Sequence, residues 1–172
     1  RHRANYHFDV DGFARFWAAN TYMVNLDSYQ GSGHNYFFYF DEGDSVGRFI
    51  VWDINESFGV FTNGYTGDVT IMPVDFYVEN RPLFTRFIED YPDFRQLIDC
   101  AIEELMGDIL DYETFSARVT ELADLVRPHV YADDNKMYPN EAFEANLNED
   151  LVSPGPAGSV IPGLRSFVSA RN

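Results

Sequence analysis

Val10, Phe13, Phe16, Trp17, Thr21 and Val24 recur at the three- and four-residue spacing of one buried helical face, and the pattern predicts a helix from about 11 to 25. Asp9 or Asp11 stands where a helix start takes an acidic cap, and the spaced oxygen ligands of a calcium loop do not follow. The aromatic and β-branched runs 36–40 and 48–52 flank DEGDSVG, which predicts a β-hairpin with a long loop. From Phe58 to Val74 the chain is rich in Gly, Thr and Asn without a sustained period, so an extended surface loop is expected. Helical spacing then returns at 83, 84, 87 and 88, and again at 94, 97, 98, 101, 102 and 105, with Pro92 dividing two helices. A third run, at 115, 119, 122, 126 and 130, carries Pro128 in its final turns. A shorter helix over 139–147 and a Gly/Pro linker, VSPGPAGSVIPG, precede the last segment, LRSFVSARN. The order is helix, loop, hairpin, loop, helices, an α+β arrangement without internal repeats.

At 172 residues the chain is about one domain, or one lobe of a larger protein, enough to bury roughly two-thirds of its unfolded surface. No run of 18 apolar residues could span a bilayer. RHRANYHF has neither a methionine nor the features of a signal peptide, so any such peptide is expected to have been removed or never attached. A net charge of −16 opposes attraction to nucleic acid or an anionic membrane and suits divalent cations and basic polypeptides. Lys136 is the single lysine. The single cysteine, Cys100, excludes an internal disulfide framework and a multi-cysteine zinc site; it reads as a small apolar residue of the helix around LIDCAIEEL. Trp17 and Trp52 read as core residues, and YFFYF as sheet packing rather than a base-stacking platform.

Candidate chemistry concentrates in residues 25–59, NLDSYQGSGHNYFFYFDEGDSVGRFIVWDINESFG. A carboxylate just after a helix (Asp27), an asparagine across a short loop (Asn35) and a carboxylate after the following strand (Asp53) form a set of oxygen ligands suited to magnesium or manganese. In kinase-like sites one Asp meets the acceptor hydroxyl, a downstream Asn shares a metal, and an Asp after a hairpin holds the metal that bridges the phosphates. The order matches, but Asn35 follows Asp27 by eight positions rather than the five of H-R-D-x-x-x-x-N. Read alone, Asp27 and Asn35 fit turn-capping residues better than a site. Asp53, after an apolar strand, needs a donor or cation if buried. His34 reads as a hydrogen-bonding residue that orders its loop, because a hard cation prefers oxygen. His2, His7 and His129 carry no functional reading, and Asp75 is expected at the surface.

Asp27-Ser28-Tyr29, Gly31, His34-Asn35-Tyr36, Tyr39, Trp52-Asp53, Asn55 and Phe58-Gly59 together resemble the CotH family, the spore coat protein H kinases, with their D-S-Y-x-G-x-x-H-N-Y-x-x-Y and W-D-x-[ND]-x-x-F-G patterns. The likeness extends through DVDGFARFWAANTYMVN before the motif, and through NRPLFTRFIEDYPDFRQL and RPHV after it. Val51 departs from the proline that members usually place before Trp-Asp.

The resemblance implies an atypical protein-kinase-like C-terminal lobe, mostly helical, with the hairpin carrying the metal site. It implies a kinase using ATP and Mg2+ or Mn2+ to phosphorylate serines of extracellular or coat proteins, at the cell or spore surface. Asp27 would be the catalytic aspartate, Asn35 and Asp53 the metal and cofactor ligands, and Asn55 a residue supporting them. The expected acceptor is a basic, Ser-rich protein. A kinase also needs strands over the nucleotide and usually a lysine on the phosphates. The residues before Asp27 contain no lysine, so residues 1–172 read as a C-terminal lobe lacking its N-terminal partner. The alternatives are a non-catalytic CotH-like adhesin or invasin, and a structural α+β module.

Overall fold

The computed structural model describes residues 7–78, 81–153 and 160–172, and the chain divides into two compact units, 1–104 and 105–172. In the first unit, helix α1 (Val10–Tyr22) is capped by Asp9, whose side chain accepts from the Gly12 amide at 2.9 Å. The expected face is the buried one: Val10, Phe13, Phe16, Trp17, Thr21 and Val24 are all buried. The helix stops short of residue 25 because the chain turns left-handed at Val24 (φ 48°), where Val24 N–H bonds Thr21 O at 3.1 Å and Asn25 N–H bonds Asn20 O at 2.8 Å. This is a Schellman ending with valine in the position that glycine usually fills.

The hairpin forms as expected, from β1 (Tyr36–Phe40) and β2 (Gly47–Val51), antiparallel with Tyr36 opposite Val51 and Phe40 opposite Gly47. Phe8 adds a short parallel bridge at Gly47. Phe49 anchors the hairpin onto α1, its ring lying 4.9 Å from Phe13 and 5.0 Å from Phe16. Pro92 separates α2 (Pro82–Asp90) from α3 (Phe94–Gly107). Phe84 of α2 stacks on the fully buried Trp17 at 3.7 Å, and Phe94 packs against Phe13. The aromatic cluster inside these elements is the core of this unit.

Three expectations fail here. Trp52 is not in the core but 59% exposed, lying just past the strand and edge-on to Phe37 at 5.4 Å. The YFFYF run packs less than expected, since Phe37, Phe38, Tyr39 and Phe40 all remain exposed. Cys100 is exposed, because α3 buries the stripe Phe94, Ile98, Ala101 and Ile102, and position 100 lies off it. The region 58–74 is irregular apart from one 3-10 turn, Val69–Ile71, capped by Asp68.

In the second unit, α4 (Tyr112–Ala132) accommodates Pro128, α5 spans Asn140–Asn146, and a two-residue pairing joins β3 (Leu151–Val152) to β4 (Val160–Ile161). The expected linker thus carries a short ladder, and its residues 154–159 lie outside the described ones. The last segment is α6 (Leu164–Arg171), held to α4 by Arg165, which donates to Ser116 Oγ at 2.8 Å and Thr120 Oγ1 at 2.7 Å.

Candidate functional site

The loop that leaves α1 is curled by its own backbone. Ser32 N–H bonds Leu26 O at 2.8 Å, and the amides of Gly31 and Gly33 both bond Ser28 O. Gly31 is obligatory in this curl: a Cβ there would lie 1.9 Å from Leu26 O. Gly33 (φ 78°) then reverses the chain, and Asn35 (φ 52°) follows in the left-handed region that asparagine tolerates best after glycine. The result is a direct contact, Asn35 Nδ2 donating to Asp27 Oδ2 at 2.7 Å, with both side chains half-buried.

Beneath this loop runs a chain of buried amides. Asn20 Nδ2 donates to Phe16 O at 2.8 Å, Asn25 Nδ2 to Asn20 Oδ1 at 2.9 Å, and Gln30 Nε2 to Asn25 O at 3.0 Å. They satisfy polar groups that would otherwise be costly at this depth, and they fix the loop to the end of α1. From the other side, Val78, Arg81 and Leu83 tie down three successive loop residues. Leu83 N–H donates to Tyr29 Oη at 3.1 Å, Val78 N–H to Gln30 O at 3.0 Å, and Arg81 Nη2 to Gly31 O. Burial pushes the Tyr29 phenol up, with the Leu83 bond opposing it, so the hydroxyl stays neutral at physiological pH.

Asp53 approaches by the hairpin register. With Tyr36 opposite Val51, Asn35 and Asp53 both leave the hairpin at the same end. Asp53 is exposed, left-handed (φ 51°, ψ 62°), and opens a one-turn 3-10 helix, Ile54–Glu56, without capping it. The chain then returns toward the end of α1: Phe58 N–H bonds Met23 O at 2.6 Å and Gly59 N–H bonds Val24 O at 3.3 Å. Phe58 itself has φ 61°. Four non-glycine residues, Val24, Asn35, Asp53 and Phe58, are thus held at positive φ around one region, a conformation that costs of order 1–3 kcal/mol each and persists only where surroundings enforce it.

The structure therefore joins Asp27 to Asn35 and sends Asp53 out of the same hairpin end, but no hydrogen bond links Asp53 to either residue. Among the described residues there is no group of three His, Cys, Asp or Glu side chains that could hold a metal. A cation at this place would depend on the Asn35 amide oxygen beside the two carboxylates, a hard-oxygen set that fits Mg2+ or Mn2+ and no softer metal. Asn55 is exposed and reaches only Glu56 Oε1, at 3.4 Å. The His34 side chain is exposed and makes no hydrogen bond among the described residues; the loop is ordered by its backbone and by Asn35, contrary to expectation. Asp75 is partly exposed and pairs with Arg95 at 2.5 Å. Arg81 was invisible to sequence reasoning, since its loop partner lies fifty positions away; its place just before the helix-starting Pro82 was the one available signal.

Residues 2–151 match the family described as CotH kinase protein. The chain belongs to that family. No curated protein and no solved structure matches this CotH kinase family member. The match covers the whole of the Asp27–Asn35 loop, the hairpin and the Asp53 turn. Among the described residues, no helix of this CotH chain is long and apolar enough to cross a membrane.

Proposed function

We propose that this CotH family member acts as a metal-dependent protein kinase on serines of basic, Ser-rich extracellular or coat proteins, at the cell or spore surface. The observation that carries the reading is the 2.7 Å bond between Asn35 and Asp27, made across a loop that glycine and left-handed backbone force into one shape. Asp27 would accept the proton of the attacking serine hydroxyl as its oxygen takes the γ-phosphoryl group and ADP leaves. Asn35 and Asp53 would hold Mg2+ or Mn2+, which supplies charge neutralisation on the phosphates. The acidic balance of −16 favours a basic acceptor.

The ATP phosphates also need a cationic anchor. Among the described arginines of the first unit, Arg15, Arg48 and Arg95 are engaged with Glu104, Asp44 and Asp75, Arg81 holds Gly31 O, and Arg86 is exposed on α2. On the two-lobe reading, an N-terminal lobe over the exposed apolar hairpin would supply that anchor. The two-lobe protein is then expected to move labelled γ-phosphate from ATP to a basic serine peptide only with Mg2+ or Mn2+, and to lose transfer in Asp27→Asn and in Asp53→Ala. The 172 residues alone are expected to transfer none. Transfer unaffected by either substitution would refute the assignment. One observation favours a second reading, a non-catalytic binding module: Phe37, Tyr39 and Trp52 form an exposed aromatic surface. Nucleotide-independent binding by a two-lobe protein without transfer would support it.

A further inference from the structure

We infer that Arg81 is a positioning residue for the Asp27–Asn35 pair, acting through the loop backbone rather than on substrate. This rests on the kinase reading above only for what the pair does; the mechanical part stands on geometry. Arg81 is the cap residue of α2 and is half-buried. Its backbone carbonyl accepts from Thr85 N–H at 3.0 Å and Thr85 Oγ1 at 3.2 Å, which fixes its Cα to the helix. Its guanidinium reaches back to Gly31 O, lies 6.0 Å from the centre of the Tyr29 ring, and sits so close to Gly33 that a Cβ there would meet Nη2 at 3.3 Å.

Those three loop residues bracket the curl between Asp27 and Asn35. The backbone tethers from Val78 and Leu83 hold Gln30 and Tyr29, whereas among the described residues Arg81 is the side chain from outside the loop that bonds its glycine half, where Ser32 Oγ makes only a local contact with His34 N–H. Without the guanidinium, Gly31 to Gly33 would be held by turn hydrogen bonds alone, and glycine is the residue least able to keep one conformation unaided. Asn35 would then lose its fixed approach to Asp27. A lysine could reach the same carbonyl with a single point donor but lacks the broad planar fork that also comes near Tyr29 and Gly33.

The test uses the 172-residue chain labelled with 15N, with Arg81→Met, Arg81→Lys and, as a control on the same helix, the exposed Arg86→Met. Two readouts are taken: the Asn35 side-chain amide signal with the exchange rates of the 31–35 amides, and Mn2+ affinity. Arg81→Met is expected to move the Asn35 signal toward that of a free amide and speed exchange over 31–35, leaving α3 and the hairpin as they were. Mn2+ binding should weaken about 10- to 100-fold, the range for residues that orient metal ligands. Arg81→Lys should recover part of both effects, and Arg86→Met should change neither. An unchanged Asn35 signal in Arg81→Met overturns the inference. So does loss of protection spread evenly over the first unit, which would make Arg81 a general stabiliser. Wild-type chain that binds no Mn2+ would count against the metal site, while the Asn35 signal would still decide the role of Arg81.

Discussion

Gly31 and Asp53 carry opposite demands on the backbone, and substitutions at them separate folding from function. A methyl at Gly31 would meet Leu26 O at 1.9 Å, a collision with main chain that no rotamer relieves. Gly31→Ala should therefore cost about 1–3 kcal/mol and displace the loop, seen as a lower melting temperature and altered Asn35 signals. Asp53 is exposed, caps nothing and sits at φ 51°. Asp53→Gly should therefore leave stability equal or higher by about 0.5–1 kcal/mol in denaturant titration, while removing Mn2+ binding. Loss of stability in that variant would mean the carboxylate has a structural partner. The residues proposed for chemistry were legible because their order and types are unusual in combination. Arg81 was not, since its place before Pro82 marks a helix start and not a contact fifty positions away.

Helix α1 and the loop that follows it behave as one element. The buried face was legible from its period, but the end was not, because Val24 occupies the left-handed position where glycine would have announced a stop. Two terms compete there. Relieving a left-handed valine would return about 1–2 kcal/mol, whereas the fully buried side chain is worth about 1.5–3 kcal/mol plus the cavity it would leave. Val24→Gly should then destabilise on balance, by about 1 kcal/mol in chemical denaturation. Asn20→Ala removes the acceptor of Asn25 and should cost about 1–3 kcal/mol, because it strands a buried amide. In the second unit, Glu144 accepts from Arg127 at 2.6 Å and from Tyr131 at 2.9 Å, and Arg127 first, then Tyr131, holds its carboxyl below the ordinary value of 4.5. A depressed carboxyl contributes stability in full above that ordinary value and loses it as pH falls through the folded one. The melting gap between wild type and Glu144→Gln should thus be present near neutrality and close in acid. Because the pair is open to solvent, the gap should be small and shrink with salt.

At the scale of the whole molecule, the charge of −16 implies self-repulsion that added salt relieves, and a field that draws in basic partners. Capture of a basic serine peptide should slow steeply with ionic strength if the acceptor is as proposed. The exposed aromatics of the hairpin explain why composition alone misplaced Trp52: a tryptophan at a strand end looks like core until one knows what lies across from it, and here the described residues leave it open. The helix order and the α+β class were legible because the period marks each helix and Pro92 divides α2 from α3, whereas the division into two units leaves no such mark. The central claim is that Asn35 and Asp53 hold one divalent cation beside Asp27, and paramagnetic broadening by Mn2+ in the 15N-labelled chain tests it most directly. The account predicts that the first resonances to broaden are those around Asp27, Asn35 and Asp53 together, and that Asp53→Ala abolishes the effect. Broadening confined to the acidic hairpin loop at Asp41, Glu42 and Asp44, and indifferent to Asp53→Ala, would contradict it.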